Sequence, residues 1–228
     1  MADYHADQEQ LDALRRWWKH YGTTVALTVL LIVGGGLGWQ QWQRSREGAA
    51  EAASLLYETM MNGVTSASLK DLDPKRVEAI TAAGHKLEAD HGGSQYAALA
   101  GLMLARLAVS RNDLDGAATE LRAVMQHSHD RDLAWIAQLR LVRVLAAQEK
   151  FDEALSLADA KVPDAMVGIF AEARGDIRLR RGDSAGARAE YQTALQQLGT
   201  RETLLKSLLE MKLNQVQPPQ VAVQEATP

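Results

Sequence analysis

Between Tyr21 and Gln43 the chain runs for twenty-three residues without an Asp, Glu, Lys or Arg. At about 1.5 Å per helical residue the run reaches about 34 Å, more than the roughly 30 Å of hydrocarbon in a bilayer. A helix of that kind is too long and too uniformly apolar for the core of a small soluble domain, so the stretch reads as a membrane span. Arg15, Arg16 and Lys19 precede it, Arg44 and Arg46 follow it, and Trp17, Trp18, Tyr21, Trp39 and Trp42 stand where interfacial ring systems belong. A cleaved signal peptide would have a shorter apolar region and an early cleavage site. Here Trp39 to Glu47 intervenes before the small residues at Gly48 to Ala53, which favours an uncleaved signal-anchor. Three basic residues before the span against two after it place the amino terminus in the cytoplasm. Inside the span Gly34 and Gly38 form a small-xxx-small pair, a close-packing face for a second helix.

These features divide the chain into a short cytoplasmic segment (1–20), a transmembrane helix (21–43), a helical domain (44–214) and a polar, proline-containing tail without periodicity (215–228), expected to be disordered. The helical domain is long enough for a substantial core. Proline occurs only at Pro74, Pro163, Pro218, Pro219 and Pro228, so few helix-breaking signals interrupt it. The expected class is all-α. A net charge of -4 without a basic cluster outside the membrane flanks argues against nucleic acid, and the absence of cysteine removes disulfides, thiolate metal sites and cysteine nucleophiles.

Within the domain one turn pattern recurs: Asn112-Asp113-Leu114-Asp115-Gly116-Ala117, Glu149-Lys150-Phe151-Asp152-Glu153-Ala154 and Gly182-Asp183-Ser184-Ala185-Gly186-Ala187. The closing alanines lie 37 and then 33 residues apart, around the tetratricopeptide period of about 34. Twelve residues before each stand Ala105, Val142 and Gly175. Small residues at both positions let paired helices approach, so Ala105, Ala117, Val142, Ala154, Gly175 and Ala187 are the expected repeat-packing set. Apolar stripes at three- and four-residue spacing accompany them, as in Ile136, Leu139, Val142 and Leu145. Asp73 and Pro74 open a helix ending near His91, Thr65 to Leu72 reads as a loop, and Arg201 to Val216 as a capping helix. The array predicts a tetratricopeptide-like α-solenoid following the single anchor.

Reactive chemistry finds little support. Gly182-Asp183-Ser184-Ala185-Gly186 matches the nucleophile-elbow pattern, but no strand precedes it and no histidine follows it. As a repeat turn it would instead use Ser184 as an N-cap. His127 and His129, beside Asp130 and Asp132, fall in the connection between helix pairs, and His85 and His91 are not one turn apart. No catalytic residue, metal or cofactor is expected. The arginines on the first helices, Arg106, Arg140, Arg143 and Arg178, are the expected groove residues of a binding module.

The order of Gly34 to Trp39, Ala53-Ser54-Leu55-Leu56-Tyr57, Tyr96 to Ala100, Leu139-Arg140-Leu141-Val142-Arg143, Gly182 to Arg188 and Glu210-Met211-Lys212-Leu213-Asn214 resembles the ancillary SecYEG translocon subunit, or YfgM-like, family of Gram-negative bacteria, over residues 9–214. The proline-containing tail after Asn214 departs from that pattern. The resemblance implies a single-pass inner-membrane protein with a periplasmic helical domain. It would work beside SecYEG and a PpiD-like membrane-anchored chaperone, helping unfolded client proteins reach periplasmic folding factors. Without a Sec partner, the residues alone also fit a membrane-tethered scaffold for envelope or cytochrome assembly, or a homodimer packed through Gly34 and Gly38.

Overall fold

The computed structural model describes residues 3–64, 69–197 and 203–216, excepting the side chains of 3–16, 20, 25, 26, 29, 44–47, 203 and 204. Among the described residues there are nine helices and no strand: α1 (Asp3–Val64), α2 (Pro74–His91), α3 (Gln95–Ser110), α4 (Leu114–His127), α5 (Arg131–Ala147), α6 (Phe151–Ala158), α7 (Asp164–Arg180), α8 (Ser184–Gln196) and α9 (Thr203–Gln215). The expected loop residues 65–68, most of the expected tail (217–228) and the flanking Arg15, Arg16, Arg44 and Arg46 side chains lie outside the described set. Two compact units result, Met1–Ala52 and Ala53–Pro228.

The first unit is a helix, and most of its described large apolar side chains are exposed. Leu30, Leu31, Ile32 and Val33 point to successive sides and are all more than half exposed, as are Leu37 and Trp39. The rings of Trp39 and Trp42 meet at a tilt with centroids 5.0 Å apart, and those of Trp17 and Tyr21 with centroids 6.0 Å apart. Among the described residues no helix is long and apolar enough to cross a membrane. The side chains of Val25, Ala26 and Val29, inside the expected span, are not among those residues.

In the second unit each helix folds back on its predecessor. The last turns of α1 bury Ala53 and Met60 against Ile80 and Leu87 of α2 and Ala100 and Leu104 of α3, with the tilted rings of Tyr57 and Tyr96 5.6 Å apart. A larger core runs from α3 to α7 around Leu121, Val142, Leu145 and Phe170. A third joins α7, α8 and α9 through Ala171, Ala187, Tyr191 and Leu209.

The three repeated turns share one geometry. Asn112, Glu149 and Gly182 occupy the left-handed region at φ 61°, 61° and 83°. In each turn the next residue's amide closes a six-residue bond to a helix carbonyl: Asp113 to Ala108, Lys150 to Leu145 and Asp183 to Arg178, all at 2.9 Å. With the inner bonds from Asn112 to Val109, Glu149 to Ala146 and Gly182 to Leu179, this satisfies carbonyls that a helix end otherwise leaves open. The residue after the left-handed position is then the N-cap of the second helix. Asp113 accepts from the Gly116 amide at 2.9 Å and Asp183 from the Gly186 amide at 2.8 Å. The N-cap of α8 is therefore Asp183, not Ser184, which is the first helical residue. A carboxylate one residue earlier reaches the open amides and adds charge complementary to the helix dipole.

Candidate binding groove

The aligned small residues all sit inside the fold. Ala105 is 2% exposed, and Ala117, Val142, Ala154 and Ala187 are fully buried. Gly175 has no room for a side chain: a Cβ there would lie 2.4 Å from Tyr191 Cε1. Each of the three first-helix positions is followed by a residue facing outward from the packed seam, namely Arg106, Arg143 and Asp176.

Arg106 of α3 joins Arg140 and Arg143 of α5 at a cavity of about 350 Å³, walled by Ala105, Val109, Leu114 and Val144. That volume is at the lower end of ordinary ligand sites, enough for a side chain or two rather than a cofactor. The three guanidiniums are close enough that burial, then Arg106 and Arg143, depress the Arg140 pKa. Arg140 donates only a long bond, 3.4 Å, to the Leu102 carbonyl. Arg143 reaches Glu172 Oε2 at 3.2 Å.

Arg178, expected in the same groove, is engaged elsewhere. It pairs with Asp183 and with Glu190, each at 3.4 Å, because α7 packs against α8 and brings those acids to it. The groove-facing position of the third repeat carries Asp176, which accepts from Lys212 Nζ of α9 at 2.7 Å and from the Tyr191 hydroxyl at 2.8 Å. Glu172, 5% exposed, holds Lys212 with its other oxygen at 2.8 Å. Burial, then the bond to Asp176, pushes the Tyr191 phenol well up. Sequence reasoning missed this network, since Glu172 and Lys212 are 40 residues apart and only the docking of α9 joins them.

The histidines are placed differently from their order in the chain. His127 closes α4 instead of lying in the connection, while His129 Nδ1 donates to the Gly93 carbonyl at 2.9 Å. These residues line a separate cavity of about 590 Å³, but the neighbouring Asp130 carboxylate caps α5 through the amides of Asp132 and Leu133. His85 meets Glu88 at 3.3 Å and Glu120 at 3.9 Å, and not His91. The three offer ligand atoms within 4.8 Å of one another. Burial first, and then Glu88, push Glu120 up to about 7. The His85 and Glu88 spacing was visible as one helical turn; Glu120 arrives from α4 through packing alone.

Ser184 heads a helix that follows another helix, and no strand is present among the described residues to form a nucleophile elbow. Gly34 and Gly38 have open space where a Cβ would stand.

A family profile described as a tetratricopeptide repeat-like domain matches residues 15–218. The chain is 31% identical over 214 residues to the ancillary SecYEG translocon subunit of Escherichia coli (strain K12), covering 94% of this chain and 98% of that relative. It is 30% identical over 210 residues to the subunit of the same name from Haemophilus influenzae, covering 91% and 96%. The Neisseria gonorrhoeae protein of that name is 28% identical over 215 residues, covering 94% and 99%. No solved structure matches significantly.

Proposed function

The chain belongs to the ancillary SecYEG translocon subunit family, and from that membership we propose that it is a non-enzymatic, membrane-anchored accessory subunit of the Sec translocon. Similarity to proteins bearing that name over nine-tenths of the chain is the observation that carries this reading. The helical repeats and the cavity at Arg106, Arg140 and Arg143 supply a surface suited to polypeptide docking.

In this proposal residues 21–43 cross the inner membrane, 1–20 remain cytoplasmic, and 44–214 stand in the periplasm beside the channel exit. Exposure of Leu30 to Val33 on all sides of α1 supports the bilayer as their partner. Gly34 and Gly38 would form the face on which another membrane helix packs. Tethering holds the domain at effective concentrations reaching the millimolar range, so weak contacts with emerging chains and with a PpiD-like chaperone suffice for hand-over to periplasmic folding factors.

The test is recovery of the tagged full chain from detergent-solubilised membranes. SecYEG components are expected to co-purify, and their absence under conditions that keep the channel intact overturns the reading in favour of another envelope scaffold. Protease added to intact spheroplasts should digest the second unit; protection of that unit would overturn the orientation.

A further inference from the structure

Resting on the reading of this cavity as a docking surface, we propose that its occupant is an acidic polypeptide segment: a carboxylate side chain held among Arg106, Arg140 and Arg143, with a neighbouring aliphatic side chain seated against Val109 and Val144. Charge complementarity selects this partner. Several arginines of the second unit sit singly against an acid: Arg122 with Glu153, Arg174 with Glu190, Arg178 with Asp183, and Arg181 with Asp152. At the cavity three arginines converge instead. Arg106 and Arg140 have no acidic partner among the described residues, and Arg143 shares Glu172 with Lys212. Gathering like charges at a partly desolvated surface is unfavourable unless an anion joins them. A carboxylate placed there would accept charge-assisted bonds from a donor fork that suits its geometry.

The wall decides which anion. Val109 is 45% exposed beside Leu114 and Val144, an apolar surface that an inorganic ion would leave wet. No aromatic ring lines the cavity for a nucleobase to stack on. An acidic side chain next to Leu, Ile or Val meets both demands from consecutive turns or residues of one segment.

The experiment is fluorescence anisotropy on the full chain in mild detergent, using four labelled peptides of equal length rich in Glu-Leu, Gln-Leu, Glu-Ser or Lys-Leu. The Glu-Leu peptide should bind at least tenfold tighter than the other three and weaken severalfold between about 50 and 300 mM salt. The doubly substituted Arg106→Gln, Arg140→Gln chain should lose at least tenfold in affinity, while Arg181→Gln leaves it unchanged. Circular dichroism melts check that each variant folds, as expected for exposed positions. Equal binding of Glu-Leu and Gln-Leu, no Glu-Leu binding at millimolar peptide, or indifference to the double substitution overturns the proposal. So does arginine-dependent capture by phosphatidylglycerol vesicles in place of peptide. Sec co-purification with failed peptide binding would sink this inference alone; peptide binding without Sec would sink the translocon reading and leave the cavity's occupant intact.

Discussion

Glycine and leucine are used in opposite ways in the two units. Gly34, Gly35, Gly36 and Gly38 face open space, whereas a Cβ on Gly84, Gly101 or Gly175 would come within 2.8, 2.5 or 2.4 Å of Leu104, Val124 or Tyr191. Leu31 is 72% exposed and Leu145 is fully buried. The second unit spends its small and large residues against each other, reaching the close packing of protein interiors. In the first unit Gly34 to Gly38 and Leu27 to Leu37, among the described side chains, stay open. The exposed leucines of this helix are the surface that the proposed membrane span would offer to lipid or to another helix.

The sharpest way to break this contrast is to truncate one leucine of each kind. Leu145→Ala should destabilise the second unit by about 2–5 kcal/mol, read as a lowered thermal midpoint or denaturant midpoint. Leu31→Asp should leave that midpoint unmoved while costing about 2.5–3.5 kcal/mol of membrane insertion, read as release from the sedimented membrane fraction. A drop in the midpoint for Leu31→Asp would mean that the two units are not energetically separate.

Glycines give the next largest effect. Gly175→Ala forces Tyr191 from its site and should cost about 1–3 kcal/mol, whereas Gly34→Ala should not alter the melt of the second unit. If Gly34→Ala reduces co-purification of any partner, the face is a helix contact.

A pH series tests charge inside the packed unit. Glu120, facing Glu88 and His85 with Arg111 and Asp113 along the same cavity, is raised from 4.5 to about 7 in the folded chain. Because the folded state holds that proton more tightly than the unfolded chain, its contribution is level below about pH 4.5, falls as pH rises to about 7, and is level again above. Glu120→Gln removes the fall. It should match the parent at pH 4 and exceed its stability by on the order of 1–2 kcal/mol at pH 8, in denaturant titrations at each pH.

The smallest contrast separates neighbours in one turn. Asp183→Ala should cost about 1 kcal/mol through loss of the bond to the Gly186 amide, and Ser184→Ala at most a few tenths. The reverse order would return the cap to Ser184.

Much of the fold was legible because its rules are local. Asp73 before Pro74, the turn residues before Ala117, Ala154 and Ala187, and the three- and four-residue apolar spacing each act within one or two helical turns, where position along the chain dictates position in space. Even the slip from Asp183 to Ser184 was an error of one residue, since both side chains are competent caps. The groove was only partly legible. Arg106, Arg140 and Arg143 share a cavity because consecutive first helices lie side by side, but Arg178, at similar spacing, is drawn to Glu190 on a packed neighbour.

What the sequence by itself determined is the helical class, the repeat spacing, the charge-free stretch from Tyr21 to Gln43 and family membership, all of which follow from residue order. Only the tertiary structure decided which charges remain unmatched, which buried acid ties α5 to α9, and that Glu120 joins His85 and Glu88. Charge pairing acts over a few ångströms, and the packing that sets those distances joins residues 29 to 40 positions apart, where no periodicity in the chain records the encounter.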